Sequence, residues 1–191
     1  MTKSFILASS SPRRLALLAS IDVVPDSVLP AACDETPRKE EKPFDLAVRL
    51  AAEKGAVVAA QKPNAWILSA DTVVGCGRRI LPKAETQQDV RSCLSLLSGR
   101  RHHVMTGVAL YLPTGEKIEK CCKSVVTFKR LSSSEIESYV SSGEGIGKAG
   151  GYAIQGRAAC FVRFLAGSYS NVVGLPLFEV GQMLHRIGYF K

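Results

Sequence analysis

No run of apolar residues in this 191-residue chain approaches the ~18 that a membrane-spanning helix needs, which excludes a helical membrane protein. The first apolar stretch, Phe5-Ile6-Leu7-Ala8, is too short for a signal-peptide core, so the sequence predicts a cytoplasmic protein. No C-x-x-C occurs among the six cysteines at 33, 76, 93, 121, 122 and 160, and the expectation is reduced, buried thiols. No G-x-S-x-G is present, so that hydrolase signal is absent. No block of five or six like charges forms a basic tail. Aromatic residues are only 7%, and no aromatic-rich basic stretch offers a platform for stacking bases. Histidine is scarce too. The adjacent His102 and His103 would point to opposite faces of a strand, whereas a zinc site needs convergent ligands.

What remains is ordinary globular material, 46% hydrophobic and 22% charged. It is enough for one domain, or for two small lobes sharing a core. Lysine and arginine number 25 against 17 acids, a net charge of +8. That surplus suggests an anionic partner: nucleic acid, anionic lipid or a phosphorylated small molecule. The charge comes in pairs, as in Arg13-Arg14, Arg78-Arg79 and Arg100-Arg101.

Residues 4–8 read as a short buried strand. Ser11 as N-cap and Pro12 as first helical residue open a helix to about Ser20. A second strand is expected near 23–29, and Pro43 starts a long helix to about Gln61. Trp66 to Ala70 is a buried strand ending at Asp71, continued by Thr72-Val73-Val74 into a Gly75–Gly77 turn. Residues 86–98 have helical spacing, with Gly99 as the stop. Residues 103–112 and 117–129 alternate like strands around Pro113-Thr114-Gly115-Glu116, the clearest hairpin signal in the chain. Ser132 or Ser134 caps a helix to about Val140, each with a glutamate three residues on. A glycine-rich stretch at 143–151, a strand near 160–165 and a helix over 176–187 complete an α/β or α+β pattern with a mixed sheet.

Several constellations bear chemistry. Ser9-Ser10-Ser11-Pro12-Arg13-Arg14 combines hydroxyls, the free amides of a helix N-terminus and two guanidinium groups, a cradle for phosphate; the alternative is arginines splayed into solvent or paired with carboxylates. Lys54 falls on the apolar side of its helix, opposite Asp45, Arg49 and Glu53. A lysine there must snorkel or meet an anion. Asp71 follows a strongly apolar strand, where a carboxylate can hold Mg²⁺, take a proton from water, or merely start a turn. Glu35 is a possible second carboxylate. Gly145 to Gly150 fits G-x-G-x-x-G formally, but a helix precedes it, so it is no dinucleotide fingerprint.

At these residues the sequence resembles the Maf family of nucleoside triphosphate pyrophosphatases. The matching blocks run in order nearly end to end. They are Leu7-Ala8-Ser9-Ser10-Ser11-Pro12-Arg13-Arg14, Arg49-Leu50-Ala51 with Lys54, Ala70-Asp71-Thr72-Val73-Val74, Leu97-Ser98-Gly99-Arg100 and His103 to Val108. The later ones are Lys148 to Gly156 and Gly167 to Leu177.

The resemblance implies a single domain over 1–191, with two α/β lobes around a long mixed sheet and a central cleft, similar to inosine triphosphate pyrophosphatases. It implies hydrolysis between the α and β phosphates with Mg²⁺ or Mn²⁺. Tyr152-Ala153-Ile154-Gln155 resembles the branch that prefers dTTP and UTP; the other branch acts on 7-methyl-GTP. Gln155 carries an amide donor and acceptor that can match the O4 and N3–H edge of thymine or uracil. Carried over by resemblance, Asp71 is the proton acceptor and a metal contact, and Glu35 is the metal-side acid. Arg13, Thr72 and Gln155 relate to substrate choice, while Ser9, Ser11, Arg14, Lys54 and Lys83 hold phosphate. A homodimer is possible, and no stable nucleic-acid or membrane partner is implied. Two positions depart from the family: Pro82-Lys83-Ala84 inverts the usual order around the lysine, and Gly147 replaces an acid before Lys148, whose role is lost or taken by Glu144. A rival reading is a nucleotide-binding regulator of septum formation without turnover.

Overall fold

The computed structural model describes residues 4–190; residues 1–3 and 191 of the expected domain lie outside that range. The chain runs through β1 (Phe5–Ala8), α1 (Pro12–Ala19), the short β2 (Ser27–Val28) and α2 (Pro43–Gln61). β3 (Trp66–Cys76), β4 (Arg79–Leu81) and α3 (Gln87–Leu97) lead into the hairpin of β5 (Arg101–Tyr111) and β6 (Lys117–Phe128). α4 (Ser133–Ser141), a 3-10 turn at Arg157–Phe161, β7 (Val162–Ala166), α5 (Tyr169–Val173) and α6 (Leu177–Arg186) follow. Capping boxes start α3 (Thr86 with Asp89) and α4 (Ser132 with Glu135), each satisfying two otherwise orphaned amides.

Seven strands form one mixed sheet in the order β2-β1-β3-β5-β6-β7, with β4 attached to the far end of β3. The β2, β1 and β3 neighbours are parallel and the others antiparallel. α2 covers one face, packing Leu46, Ala47 and Leu50 on Val73 and Met105. On the opposite face, Leu7, Leu68, Ala70 and Val108 pack with Leu18 of α1 and Leu184 of α6. Farther along the same strands, Val74, Val104 and Val126 pack with α3 and α4. Between these two apolar clusters runs a polar seam of Thr72, Thr106, Ser124 and Asn171.

The strand expected to stop at Asp71 does not stop. β3 runs on to Cys76 with Asp71 in its middle. What opens Asp71 to a ligand is the loss of a neighbour: β1 ends at Ala8, opposite Ser69, and β4 joins only at Val74. Residues 70–73 therefore have a bare edge. Strand alternation sends Asp71 to the α2 face and Thr72 to the other face. Gly107 lies opposite Asp71 in register, and a Cβ there would come within 2.2 Å of the Ala47 carbonyl oxygen. Glycine at this position lets α2 press onto the sheet beside Asp71.

α2 also anchors the loop before it. Arg49 donates to both Glu41 carboxylate oxygens (2.7 and 2.9 Å), to Glu53 (3.1 Å) and to the Thr36 carbonyl (3.0 Å), pinning the segment next to Glu35. Hydrogen bonding from Arg49 holds the Glu41 carboxyl at about 2, below its ordinary 4.5. A depressed carboxylate contributes stability above its unfolded value and loses it as pH falls through the folded one. Thermal melts of wild type and Glu41→Gln should thus differ at neutral pH, and the gap should close as pH drops from 4.5 to about 2. A gap that ignores pH would detach the clamp from stability.

The thiols correct one expectation. All six are free, but only Cys93 is buried, and Cys160 is exposed. His102 and His103 do diverge, one buried and one half-buried, and among the described residues no group of three or more His, Cys, Asp or Glu converges on a metal position. No described helix is long and apolar enough to cross a membrane.

Candidate active site

A cleft of about 320 Å³ straddles the bare edge of β3, and every residue to which the resemblance gives a catalytic, metal, phosphate or substrate-choice role lines it. On the α2 side the charges form a chain. Lys54 Nζ donates to Asp71 Oδ1 (2.5 Å) and to Glu35 Oε1 (2.6 Å), and Lys83 Nζ donates to Glu35 Oε2 (2.5 Å). Lys54 is 8% exposed and Asp71 4%, so this is a buried pair shading outward into the half-exposed Glu35 and Lys83. Burial alone would push the Lys54 ammonium down. Asp71 and Glu35 outweigh it and hold the ammonium above its ordinary value. Burial works against the Glu35 carboxylate, but the hydrogen bonds from Lys54 and Lys83 hold its pKa below the usual range. The lysine on the apolar stripe of α2 meets anions, and they are the protein's own.

Lys83 arrives despite the inverted order around it. Its backbone bridges to Ala149, the Ala84 carbonyl accepts from the Gly147 amide (2.7 Å) and the Pro82 carbonyl from the Gly150 amide (3.2 Å). This lacing brings the glycine-rich loop to the cleft. Glu144 does not replace the missing acid. Its carboxylate accepts from the Arg157 amide (3.0 Å) and lies outside the cleft lining.

On the other face Arg14 is a scaffold. Nε donates to the Gly174 carbonyl (2.8 Å), Nη1 to Ser9 Oγ (2.9 Å) and Nη2 to Thr72 Oγ1 (3.3 Å). Burial pushes its guanidinium down, with Asp71 acting in the opposite direction. Two of its five N–H donors remain for a ligand. Ser11 occupies the N-cap of α1, yet its side chain caps nothing, and no acid lies in the first turn. Its hydroxyl and that positive end are therefore open to an anion. Arg13 makes no hydrogen bond or ion pair among the described residues; Gln155, exposed on the late loop, makes none either.

Lys148 opens the late motif, and the sequence assigns it no role. It lines the cleft, and burial and the nearby Arg13 both lower its pKa. A lone lysine in a run of glycines was the available signal. Five cations, Arg13, Arg14, Lys54, Lys83 and Lys148, thus meet two carboxylates. Both carboxylates converge on one ammonium, which marks a position where a cation is held by hard oxygens. Mg²⁺ is commonly bound by one or two carboxylates plus substrate phosphates and waters, so the donor set fits it.

The profile of one family, Maf-like protein, matches residues 4–187. The chain belongs to the Maf family. It is 55% identical to the dTTP/UTP pyrophosphatase of Caulobacter vibrioides, over 97% of this chain and 96% of that protein. It is 56% identical to the dTTP/UTP pyrophosphatase of Zymomonas mobilis, over 99% and 94%. Among solved structures it is similar to a HAM1 protein from Coxiella burnetii, with 14% identity, 97% of this chain and 100% of that one covered, and a TM-score of 0.49.

Proposed function

We propose that this Maf protein is a pyrophosphatase that hydrolyses dTTP and UTP between the α and β phosphates, releasing the monophosphate and pyrophosphate. The observation that carries the reading is the convergence of five cations and two carboxylates on one cleft that also has valine side chains in its wall. The names of the near-full-length relatives support the choice of nucleotide.

Arg13, Lys83 and Lys148 grip the outer phosphates, with donors from Ser9, Ser11 and Arg14. Lys54 neutralises charge next to Asp71. Positioning and charge neutralisation of this kind supply most of the catalysis in phosphoryl chemistry. Asp71 takes the proton of the attacking water, a contribution of roughly 10²–10⁴-fold for a general base. Asp71 and Glu35 would hold Mg²⁺ or Mn²⁺, which when bound neutralises phosphate charge. Val74, Val104, Val172, Val173 and Tyr152 also line the cleft and offer an apolar wall for a base, with Thr72 and Gln155 as polar groups. The chain works as one domain of two lobes, one around each apolar cluster of the shared sheet face. The reading places the protein in the cytoplasm, as a monomer or homodimer, with no stable nucleic-acid or membrane partner.

The test is pyrophosphate release from dTTP, UTP, CTP, ATP and GTP with Mg²⁺. A preference for purines, or no release at all, would overturn the assignment. Gln155→Ala should lower kcat/KM for dTTP and UTP by about tenfold against ATP and GTP, since a lost base contact leaves polar groups unpaired. An equal loss for every nucleotide would move Gln155 off the base.

A further inference from the structure

The cleft wall at Gln155 is a turn held from behind. Ala153 to Gly156 form a tight turn closed by the Gly156 amide on the Ala153 carbonyl (3.1 Å), with Gln155 at its exposed corner. Both shoulders of the turn are tied through backbone amides to the end of α4, by residues outside the cleft lining. The Ala153 amide donates to the Tyr139 hydroxyl (3.1 Å), and the Arg157 amide donates to Glu144 Oε2 (3.0 Å). Tyr139 is buried, and Gly143, at φ +70°, turns the chain after α4 ahead of Glu144. Burial and the Glu144 charge together raise the Tyr139 phenol, so the two side chains are neighbours. The Glu144 carboxylate sits so close to Gly156 that a Cβ there would lie 2.3 and 2.4 Å from its two oxygens. Its Oε1 is buried and has no hydrogen-bond partner among the described residues. A carboxylate oxygen left in that state is costly, and the cost calls for a reason beyond capping one amide.

We propose that Glu144 is a positioning residue, which with Tyr139 grips the turn by its two flanking amides and so holds Gln155 toward the nucleotide. This rests on the reading above that Gln155 meets the substrate, and on no choice of base. A glutamine on a free turn samples many positions, whereas a turn fixed at both shoulders presents one. Glycine at 156 belongs to the same device, because a larger residue would push the carboxylate off the Arg157 amide.

The test takes Glu144→Ala, Glu144→Gln, Gln155→Ala and the double variant Glu144→Ala/Gln155→Ala. Amide hydrogen exchange in the nucleotide-free chain reads the grip directly. Arg157 should exchange at least about tenfold faster in Glu144→Ala and at the wild-type rate in Glu144→Gln, whose carboxamide oxygen still accepts. The consequence is read in kcat/KM for dTTP. Glu144→Ala should lose about tenfold in the wild-type background and nothing further in the Gln155→Ala background, where no side chain is left to position. A general loss of stability would lower both backgrounds alike. Gly156→Ala reaches the same contact from the other side and should reproduce the Glu144→Ala loss with the carboxylate intact. Equal losses in both backgrounds, unchanged exchange at Arg157 in Glu144→Ala, or a Gly156→Ala variant as active as wild type would overturn the proposal. Absence of pyrophosphate release in wild type would sink the enzymatic reading alone, since dTTP affinities from calorimetry then run the same comparison.

Discussion

Asp71→Asn should fold as wild type does and lose about a thousandfold in turnover, ~4 kcal/mol of transition-state stabilisation. The two side chains have the same shape, and the asparagine carbonyl can still accept from Lys54 in a site only 4% exposed. The lost group is the carboxylate that takes a proton from water. Nucleotide affinity should hold or tighten, because a negative charge leaves a cleft that binds an anion. A fall in kcat without a rise in KM marks an interaction made only in the transition state. Raising Mg²⁺ separates the two roles given to this residue. Recovery at high Mg²⁺ would leave Asp71 as a metal ligand only, and turnover within about threefold of wild type, under ~1 kcal/mol, would remove it from the mechanism.

The parts of the site legible in the sequence are those carried by local signals. Ser11 followed by Pro12 marks the start of α1, and so places Arg13 and Arg14 at its positive end. The helical period of α2 puts Lys54 on its buried side, and the structure agrees. The turn at 113–116 gives the β5–β6 hairpin. The less legible parts depend on long-range assembly. Asp71 is reachable because β1 stops and β4 starts late on the same edge of β3, which no local pattern in residues 66–76 records. Glu35 looked like any loop acid, since its partners lie 19 and 48 residues away. The bracing half of Arg14 is equally non-local: beside the donors it keeps for a phosphate, it donates to the carbonyl of Gly174, 160 residues on.

Lys54→Met should be the most disruptive single change in the cleft. From the sequence alone the expectation would be a tolerated substitution, because methionine fills the stem's volume on an apolar stripe. The ion pairs reverse that. Removing the ammonium leaves Asp71 buried and unpaired and facing Glu35, and breaking a buried pair from one side costs roughly 3–5 kcal/mol. The variant should melt well below wild type, and added Mg²⁺ should raise its melting temperature more than it raises that of wild type, because a divalent cation can take the vacated position between two carboxylates. Turnover should fall by at least about a hundredfold, ~2.7 kcal/mol. The pH dependence gives an independent check. The Lys54 ammonium is held above its ordinary 10.5 in the folded chain. A raised cation contributes stability that is complete below its unfolded value and is lost as pH rises through the folded one. Wild type should therefore lose stability as pH climbs beyond 10.5, and Lys54→Met should lack that component. Equal melting temperatures for the two proteins at neutral pH, with parallel alkaline profiles, would show that the Asp71–Lys54–Glu35 chain does not hold the cleft together.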